Sequence, residues 1–450
     1  MSDSSVERSS RPWPIRSVIE GFYGDPWTWD ARAEVMRWCH ERAMTHYLYA
    51  PKNDPLHRER WRELYGPEML AGFDRLVGEA TLQVGFAISP GLSIDYGSAD
   101  DRAALAAKVD QLVERGVGLV ALLLDDIPVR PGLGVEHADL TRWLRDHLEG
   151  RATLLLTPTE YTGTRPTAYL DALAEGVPPD VAIGWTGETV VCDEITVAQA
   201  TARAESLGGR PPFVWDNYPV NDAIMADRLF LGPLRGREVG LGPVCSGYAA
   251  NPMTQPRSSL PALASIAGYL RGDDPVAAWE ADLGDLRTFA EACDGERPAQ
   301  LVESALDAVG GLDLPSDLDA LDELDEWLRA ARSCGAPGLE GEAEAWVEQA
   351  HAEAAVGVVA VKLLRAASDP DGPLAERRRI AERALTLAYL WPPLRRSTVT
   401  VMGPRCSFRP VLAQGPDGEW RFRAAALTDD DNAIDRLVRA ALARAAALDT

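Results

Sequence analysis

The run Leu122-Leu123-Leu124 ends abruptly in two adjacent carboxylates, Asp125 and Asp126. An apolar run of this kind reads as a buried strand. A core strand that delivers paired acids to its carboxyl end mounts acid/base chemistry on a rigid support. Taken alone, Asp-Asp after a strand reads more readily as a turn and helix N-cap. Its meaning depends on the elements around it.

Apolar or β-branched runs recur at Ile15–Glu20, His46–Ala50, Val84–Ile88, Leu119–Leu124, Ala152–Leu156, Val181–Trp185, Pro212–Asp216 and Pro243–Tyr248. Their spacing of roughly 30 to 40 residues is the length of a βα unit. Between them lie segments of helical periodicity, such as Trp29–Glu41, Thr196–Leu207 and Asp101–Arg115 with Leu105, Val109, Leu112 and Val113 on one face. Eight parallel strands with right-handed helical crossovers close into a (β/α)8 TIM barrel, expected over residues 15–272. Such a barrel places function just after each strand. The segments there are Glu20-Gly21-Phe22-Tyr23-Gly24, Pro51-Lys52-Asn53-Asp54, Ser89-Pro90-Gly91, Asp125-Asp126, Thr157-Pro158-Thr159-Glu160-Tyr161, Trp185-Thr186-Gly187, Asp216-Asn217-Tyr218 with Asn221-Asp222, and Asn251-Pro252. Polar and aromatic residues gathered at one rim suit a carbohydrate-like pocket.

From about Gly272–Pro275 the strand signal stops and Ala, Leu, Glu and Arg dominate, so a second, mainly helical domain is expected over 273–450. Ser316–Cys334 carries Leu318, Leu321, Leu324 and Leu328 at helical spacing, and Glu342–Ala367 and Leu374–Leu390 are similarly amphipathic. They read as a helical bundle. A small β-rich patch is expected near the C-terminus over Thr398–Met402, Ser407–Leu412 and Trp420–Ala424, with a turn at Gly415-Pro416-Asp417-Gly418. The last helix is expected over Asn432–Leu448, its dipole matched by Asp429-Asp430-Asp431. Residues 1–14 read as a disordered tail.

Lys plus Arg number 45 against 69 Asp plus Glu, a formal net charge of −24 that repels phosphate backbones and anionic lipid surfaces. Nucleic acid and membrane are therefore not expected as partners. The six cysteines (Cys39, Cys192, Cys245, Cys293, Cys334, Cys406) have no short C-x-x-C spacing, which points to reduced thiols. The start lacks the apolar core of a signal peptide, and no run of about 18 uncharged apolar residues follows, so a cytoplasmic location is expected. The six histidines show no His-x-His, and no glycine-rich phosphate loop appears. Neither metal nor cofactor is expected.

Several rim segments together resemble a known family. Glu20-Gly21-Phe22-Tyr23-Gly24-x-Pro26-Trp27, Tyr49-Ala50-Pro51-Lys52-x-Asp54-x-x-His57-Arg58-x-x-Trp61-Arg62, Asp125-Asp126-Ile127, Trp185-Thr186-Gly187 and Trp215-Asp216-Asn217 with Asn221-Asp222 are similar, in order, to family 84 of the glycoside hydrolases. These are retaining β-N-acetylglucosaminidases that include the O-GlcNAcases. The likeness covers about Ile15–Leu270. It implies substrate-assisted catalysis, in which the sugar's own 2-acetamido carbonyl attacks the anomeric carbon to give an oxazoline. A carboxylate-spacing rule for stereochemistry does not apply to such enzymes.

By the same resemblance Asp125 accepts a hydrogen bond from the acetamido N–H, and Asp126 protonates the leaving oxygen and then deprotonates water. Two close carboxylates disfavour double ionisation, which helps keep the acid protonated. Neighbouring residues of a regular strand face opposite ways, so a kink or bulge is expected at Asp125 or Asp126 if both reach one pocket. The Gly21 backbone, Lys52, Asp222 and Asn251 are implied to hold ring hydroxyls. Asn217 is implied to contact the acetamido group or support Asp125, Tyr161 to meet the oxazoline oxygen, and Trp215 to wall the N-acetyl pocket. The implied substrate is a glycoside or glycoprotein bearing N-acetylglucosamine. A homodimer through the helical domain is the corresponding expectation, since some relatives pair that way.

Read singly, these residues have plainer roles: a core tryptophan, a solvated lysine, turn asparagines, a conformational glycine. Phe22 and Tyr23 read as barrel-end packing, and His57 as a brace for its loop. Asn53 stands where the family commonly has an acid. Two competing readings are an endo-acting hyaluronidase-like glycosidase, which needs a basic cleft, and a catalytically silent sugar-binding or scaffold protein.

Overall fold

The computed structural model describes residues 13–310, 319–368, 373–394, 398–403, 412–414, 420–422 and 432–447. Eight parallel strands form a closed barrel in sequence order: β1 (Arg16–Glu20), β2 (His46–Tyr49), β3 (Gln83–Ile88), β4 (Leu119–Leu123), β5 (Thr153–Thr157), β6 (Ala182–Trp185), β7 (Pro212–Asp216) and β8 (Gly247–Ala250). Closure comes from β1 on β8, with Val18 opposite Ala250. Helices α1 (Trp29–Glu41), α2 (Pro67–Gly78), α3 (Ala99–Val113), α4 (Leu133–Leu148), α5 (Ala168–Gly176), α6 (Val197–Ser206) and α7 (Leu260–Arg271) follow the strands. This is the (β/α)8 barrel that the alternating pattern predicts.

Side-chain caps set four of the barrel's helix starts. Thr28, Ser98, Thr167 and Thr196 each accept a backbone N–H from three residues on, and Gln199 completes a capping box with Thr196. The eighth strand is the one that departs from expectation. Pro243 lies in a short 3-10 turn, Gly242–Val244, and pairing with β7 begins only at Gly247 opposite Phe213. Proline has no N–H to give the ladder, so the strand starts beyond it.

The described residues fall into two compact units. One contains the barrel, and takes in the chain to Ala223 and Pro233–Trp279, with the short antiparallel pair Leu412–Gln414 and Trp420–Phe422. The other holds Ile224–Gly232, the described part of Glu280–Arg409, and the last helix. Its helices are the end of α8 (Pro275–Leu283), then α9 (Arg287–Asp294), α10 (Glu296–Gly310), α11 (Asp319–Ala331), α12 (Glu344–Ala367), α13 (Leu374–Leu394) and α14 (Ala433–Ala446). α12 packs against α11, α13 and α14. Leu321, Leu324 and Leu328 of α11 are fully buried, as their spacing predicts. Gly357 lets α11 come close, since a Cβ there would sit 2.8 Å from Leu328 Cδ2.

The strand expected over Thr398–Met402 does not form; those residues make turns and bends. Leu318, Cys406, most of Ser407–Leu412, the turn Gly415–Gly418, Asp429–Asp431, Leu448 and all of the 1–14 tail but Trp13 and Pro14 lie outside the described residues. Among the described residues no helix is long and apolar enough to cross a membrane.

Candidate active site

The barrel interior is filled by Ile19, Leu48, Ala50, Ala87, Leu119, Ala121, Leu123, Leu155, Phe213, Trp215 and Ala249. Side chains alternate along a strand, so one further step of two residues gives the next inward layer: Gly21, Lys52, Ser89, Asp125, Thr157, Asn217 and Asn251. The polar rim is thus the last layer of the core pattern with its residue type changed. Glu20 and Asp216 fall in the opposite phase. Glu20 takes Arg32 of α1 at 2.8 and 2.9 Å, and Asp216 takes Arg237 at 2.7 and 2.6 Å. These buried pairs brace the barrel's outer layer and leave the mouth to the inward set.

Asp125 is 8% exposed, and Lys52 Nζ donates to its Oδ2 at 2.5 Å. Burial works against the Lys52 charge, but the fields of Asp125 and then Asp126 outweigh it and hold the ammonium above its ordinary range. The other Asp125 oxygen, Oδ1, is buried with no partner, and so is the Thr157 hydroxyl. Orphaned buried acceptors are uncommon, and a carboxylate oxygen left bare beside a lysine is poised for a donor.

Asp126 has a φ of +52°, a left-handed turn that a non-glycine residue takes rarely. It is the kink the paired acids require. The turned carboxylate is exposed and lies between two phenols: Tyr23 OH donates to Oδ2 at 2.8 Å and Tyr161 OH to Oδ1 at 3.0 Å. Burial, then Asp126 and Asp125, push the Tyr161 phenol well above its usual value, so it stays a donor. Lys52, Arg58 and Tyr161 each feel both acids, so Asp125 and Asp126 act on the same three groups at the rim.

Across the mouth, a second network ties Gly21, Asn251, Asn217 and Trp215 together. Gly21 N donates to Asn251 Oδ1 at 3.1 Å; Asn251 Nδ2 and Trp215 Nε1 both reach Asn217 Oδ1, at 2.9 and 3.0 Å; Asn217 Nδ2 donates to Val190 O at 2.7 Å. Asn217 therefore anchors Trp215 and Asn251 and makes no bond to Asp125. The Gly21 N–H is thereby committed within the protein. A Cβ at Gly21 would stand 2.5 Å from Trp215 Cζ2, so the indole approaches this closely only because no side chain intervenes. Asp222 accepts from Tyr23 N at 2.7 Å, and burial holds its carboxyl above the ordinary range.

Two family positions behave differently from one another. Asn53 is exposed, whereas Asp54 is buried and accepts from Tyr49 OH, Tyr65 OH and Leu56 N. The structural acid of this loop is Asp54. His57 braces the loop through Nδ1 to Ala87 O at 2.7 Å, and burial followed by the Lys52 charge lowers its pKa to about 3. Among the described residues no group of three or more His, Cys, Asp or Glu side chains is placed to hold a metal.

A family model described as beta-N-acetylglucosaminidase matches residues 16–296, the whole of the barrel and its site. The chain belongs to that family. It is family 84 of the glycoside hydrolases. Two curated relatives are the protein O-GlcNAcases of Rattus norvegicus and Mus musculus, each 33% identical over 274 residues, which is 57% of this chain and 30% of the relative. The chain spans under a third of the length of the curated relatives it matches. A mutant of the Thermobaculum terrenum O-GlcNAc hydrolase shares the fold at a TM-score of 0.79, with 23% identity over 97% of this chain and 96% of that one. A structure named CpGH84B superposes with a TM-score of 0.76, 25% identity, and coverage of 87% and 75%.

Two residues of the site, Tyr23 and Arg58, escape the sequence reading. Phe22 does pack, fully buried beside Trp27, but Tyr23 leaves the barrel end for Asp126, with Arg58 Nη1 donating to its hydroxyl at 2.7 Å. Strand phase holds the signal for neither: Tyr23 after β1 and Arg58 after β2 sit in loops whose course depends on tertiary contacts.

Proposed function

We propose that this chain is a retaining exo-β-N-acetylglucosaminidase, O-GlcNAcase-like, that releases terminal β-linked N-acetylglucosamine by substrate-assisted catalysis. The observation that carries the reading is the Asp125 carboxylate, with one oxygen held by Lys52 and the other buried and bare beside the rim acid Asp126. A bare oxygen there suits the acetamido N–H of the sugar. Its hydrogen bond turns the acetamido carbonyl toward the anomeric carbon, and the Asp125 charge offsets the positive charge that develops as the five-membered ring closes.

The steps follow from two proton positions. The acetamido oxygen attacks C1 while Asp126, protonated, gives its proton to the glycosidic oxygen as the C1–O bond breaks. The resulting Asp126 carboxylate takes a proton from water, whose oxygen attacks C1 and opens the oxazoline. Two inversions give retention. Tyr161 stands beside Asp126 to meet the ring that forms, Trp215 offers a flat wall to the N-acetyl methyl, and Asn251, Asp222 and the Gly21 carbonyl are acceptors or donors for ring hydroxyls. The names of the curated relatives support an O-GlcNAc-type substrate. Free thiols at Cys39, Cys192, Cys245, Cys293 and Cys334 support a reducing, cytoplasmic compartment.

The test is hydrolysis of 4-nitrophenyl and phenyl β-N-acetylglucosaminides by wild type, Asp125→Asn and Asp126→Asn. Asp125→Asn should lower kcat on both glycosides by about a hundredfold or more. Asp126→Asn should hurt the phenyl glycoside far more than the nitrophenyl one, because an activated phenolate departs with little protonation. Wild type that ignores both glycosides but depolymerises hyaluronan would favour the endo reading, and binding without turnover the scaffold reading.

A further inference from the structure

The Tyr23 hydroxyl has one hydrogen. Arg58 Nη1 donates to it at 2.7 Å, and arginine cannot accept, so that hydrogen points at Asp126 Oδ2, 2.8 Å away. We propose that Arg58 and Tyr23 form a positioning pair that fixes the rotamer of Asp126 and decides which of its oxygens carries the proton. The proposal rests on the reading of Asp126 as the general acid.

The geometry works through commitment of donors. A cation behind the phenol polarises its O–H and strengthens the bond it makes to the carboxylate. Oδ2 is therefore permanently an acceptor. Tyr161 OH, at 3.0 Å from Oδ1, has no arginine behind it and is free to turn, so Oδ1 is the oxygen that takes up and delivers the proton. When Asp126 protonates a glycoside, the Oδ1–H bond breaks as the new O–H bond to the leaving oxygen forms, and the anion left behind is caught by the charge-backed phenol on Oδ2. The backbone of Tyr23 is held from the other side by Asp222 Oδ2 at 2.7 Å, which keeps the ring over the acid. Burial, and next the Asp126 charge, hold the Tyr23 phenol above its ordinary value, so it remains protonated throughout the working range.

The charged and titratable groups that act on Asp126 are Lys52 and Arg58 from the loop after β2, Tyr23 after β1, Asp125 beside it, Tyr161 after β5 and Asp222 after β7. Of the two cations, Lys52 is bound to Asp125, which leaves Arg58 as the one whose hydrogen bond leads to Asp126. Removing either member of the pair takes a stabilising group from the anion, so the acid holds its proton to higher pH.

The decisive measurement is the pH profile of kcat/KM on phenyl β-N-acetylglucosaminide for wild type, Tyr23→Phe, Arg58→Gln and Arg58→Lys. The alkaline limb, which reports the free enzyme's acid, should move up by roughly 0.5 to 1 pH unit in Tyr23→Phe and Arg58→Gln, and return toward the wild-type position in Arg58→Lys. At the optimum, kcat on the phenyl glycoside should fall about tenfold while the nitrophenyl glycoside changes by less than about threefold. A limb that stays within about 0.2 pH unit in both variants, with only KM altered, overturns the proposal and leaves the pair as aglycone or loop contacts. The catalytic reading fails differently: wild type would be inert on both glycosides, or Asp126→Asn would lose no more on the phenyl glycoside than on the nitrophenyl one. Either result removes the acid and overturns this proposal with it.

Discussion

Lys52 and Asp125 show how an ion pair is held inside the barrel mouth at a cost to the fold. Their side chains are 3% and 9% exposed, and each is the other's compensation. Removing one partner leaves a buried charge alone, which costs about 3–5 kcal/mol, while removing both can be nearly neutral. Lys52→Met and Asp125→Asn should each lower stability substantially in urea unfolding. The double variant should be less destabilised than the sum of the two by about 1–3 kcal/mol. Additive losses would mean that the pair contributes no coupling.

Gly21 belongs to the register of β1 as much as to the site. Alternation brings residue 21 to the inward face directly beneath the Trp215 indole from β7, and the 2.5 Å clearance to an added Cβ cannot be absorbed by the backbone of a closed barrel. Gly21→Ala should therefore leave the fold intact, cost about 1–3 kcal/mol, and displace the indole. Displacement breaks the Trp215–Asn217–Asn251 chain, so kcat/KM on β-N-acetylglucosaminides should drop much more than stability does. A shift in intrinsic tryptophan fluorescence gives an independent readout. Glu20 and Asp216, in the outward phase of β1 and β7, are locked by arginines and should tolerate no change that removes the partner.

Across the molecule, two buried histidines set how stability follows pH. His57 and His137 are both fully buried and both have their pKa lowered to about 3, chiefly by burial. Unfolded, each titrates near 6.5. The unfolded chain thus binds more protons than the folded one between about pH 6.5 and 3, so stability is lost as pH falls through that window. The loss per histidine approaches ~1.4 kcal/mol per pH unit once the unfolded ring is fully protonated. His137 hydrogen-bonds Tyr96 and Tyr169, away from the rim acids, which makes it the cleaner probe. His137→Gln should flatten the urea-unfolding stability curve between pH 6 and 5 relative to wild type, whatever its effect on absolute stability.

Much of this architecture is visible in the chain before folding. Strand phase is local, and period two alone carries Ile19 to Gly21, Leu123 to Asp125 and Ala249 to Asn251, so both the barrel and its rim layer follow from apolar spacing. Proline marked the one misplaced strand, β8, where the missing N–H moved the start from Pro243 to Gly247. The family motifs raised the rim residues above their plainer roles. They did not distinguish Asn53 from Asp54, or show that Asn217 holds Trp215 and Asn251.

What the sequence by itself determined is which residues stand at the barrel mouth, because alternation and helix caps act within a few residues. What only the tertiary structure decided is how those residues share donors and acceptors. Lys52 meets Asp125 across 73 positions, Tyr23 meets Asp126 across 103, and Gly21 meets Asn251 across 230. A hydrogen bond has one donor and a narrow geometry, so such partnerships exist only once the closed sheet has brought distant loops into hydrogen-bonding reach of each other.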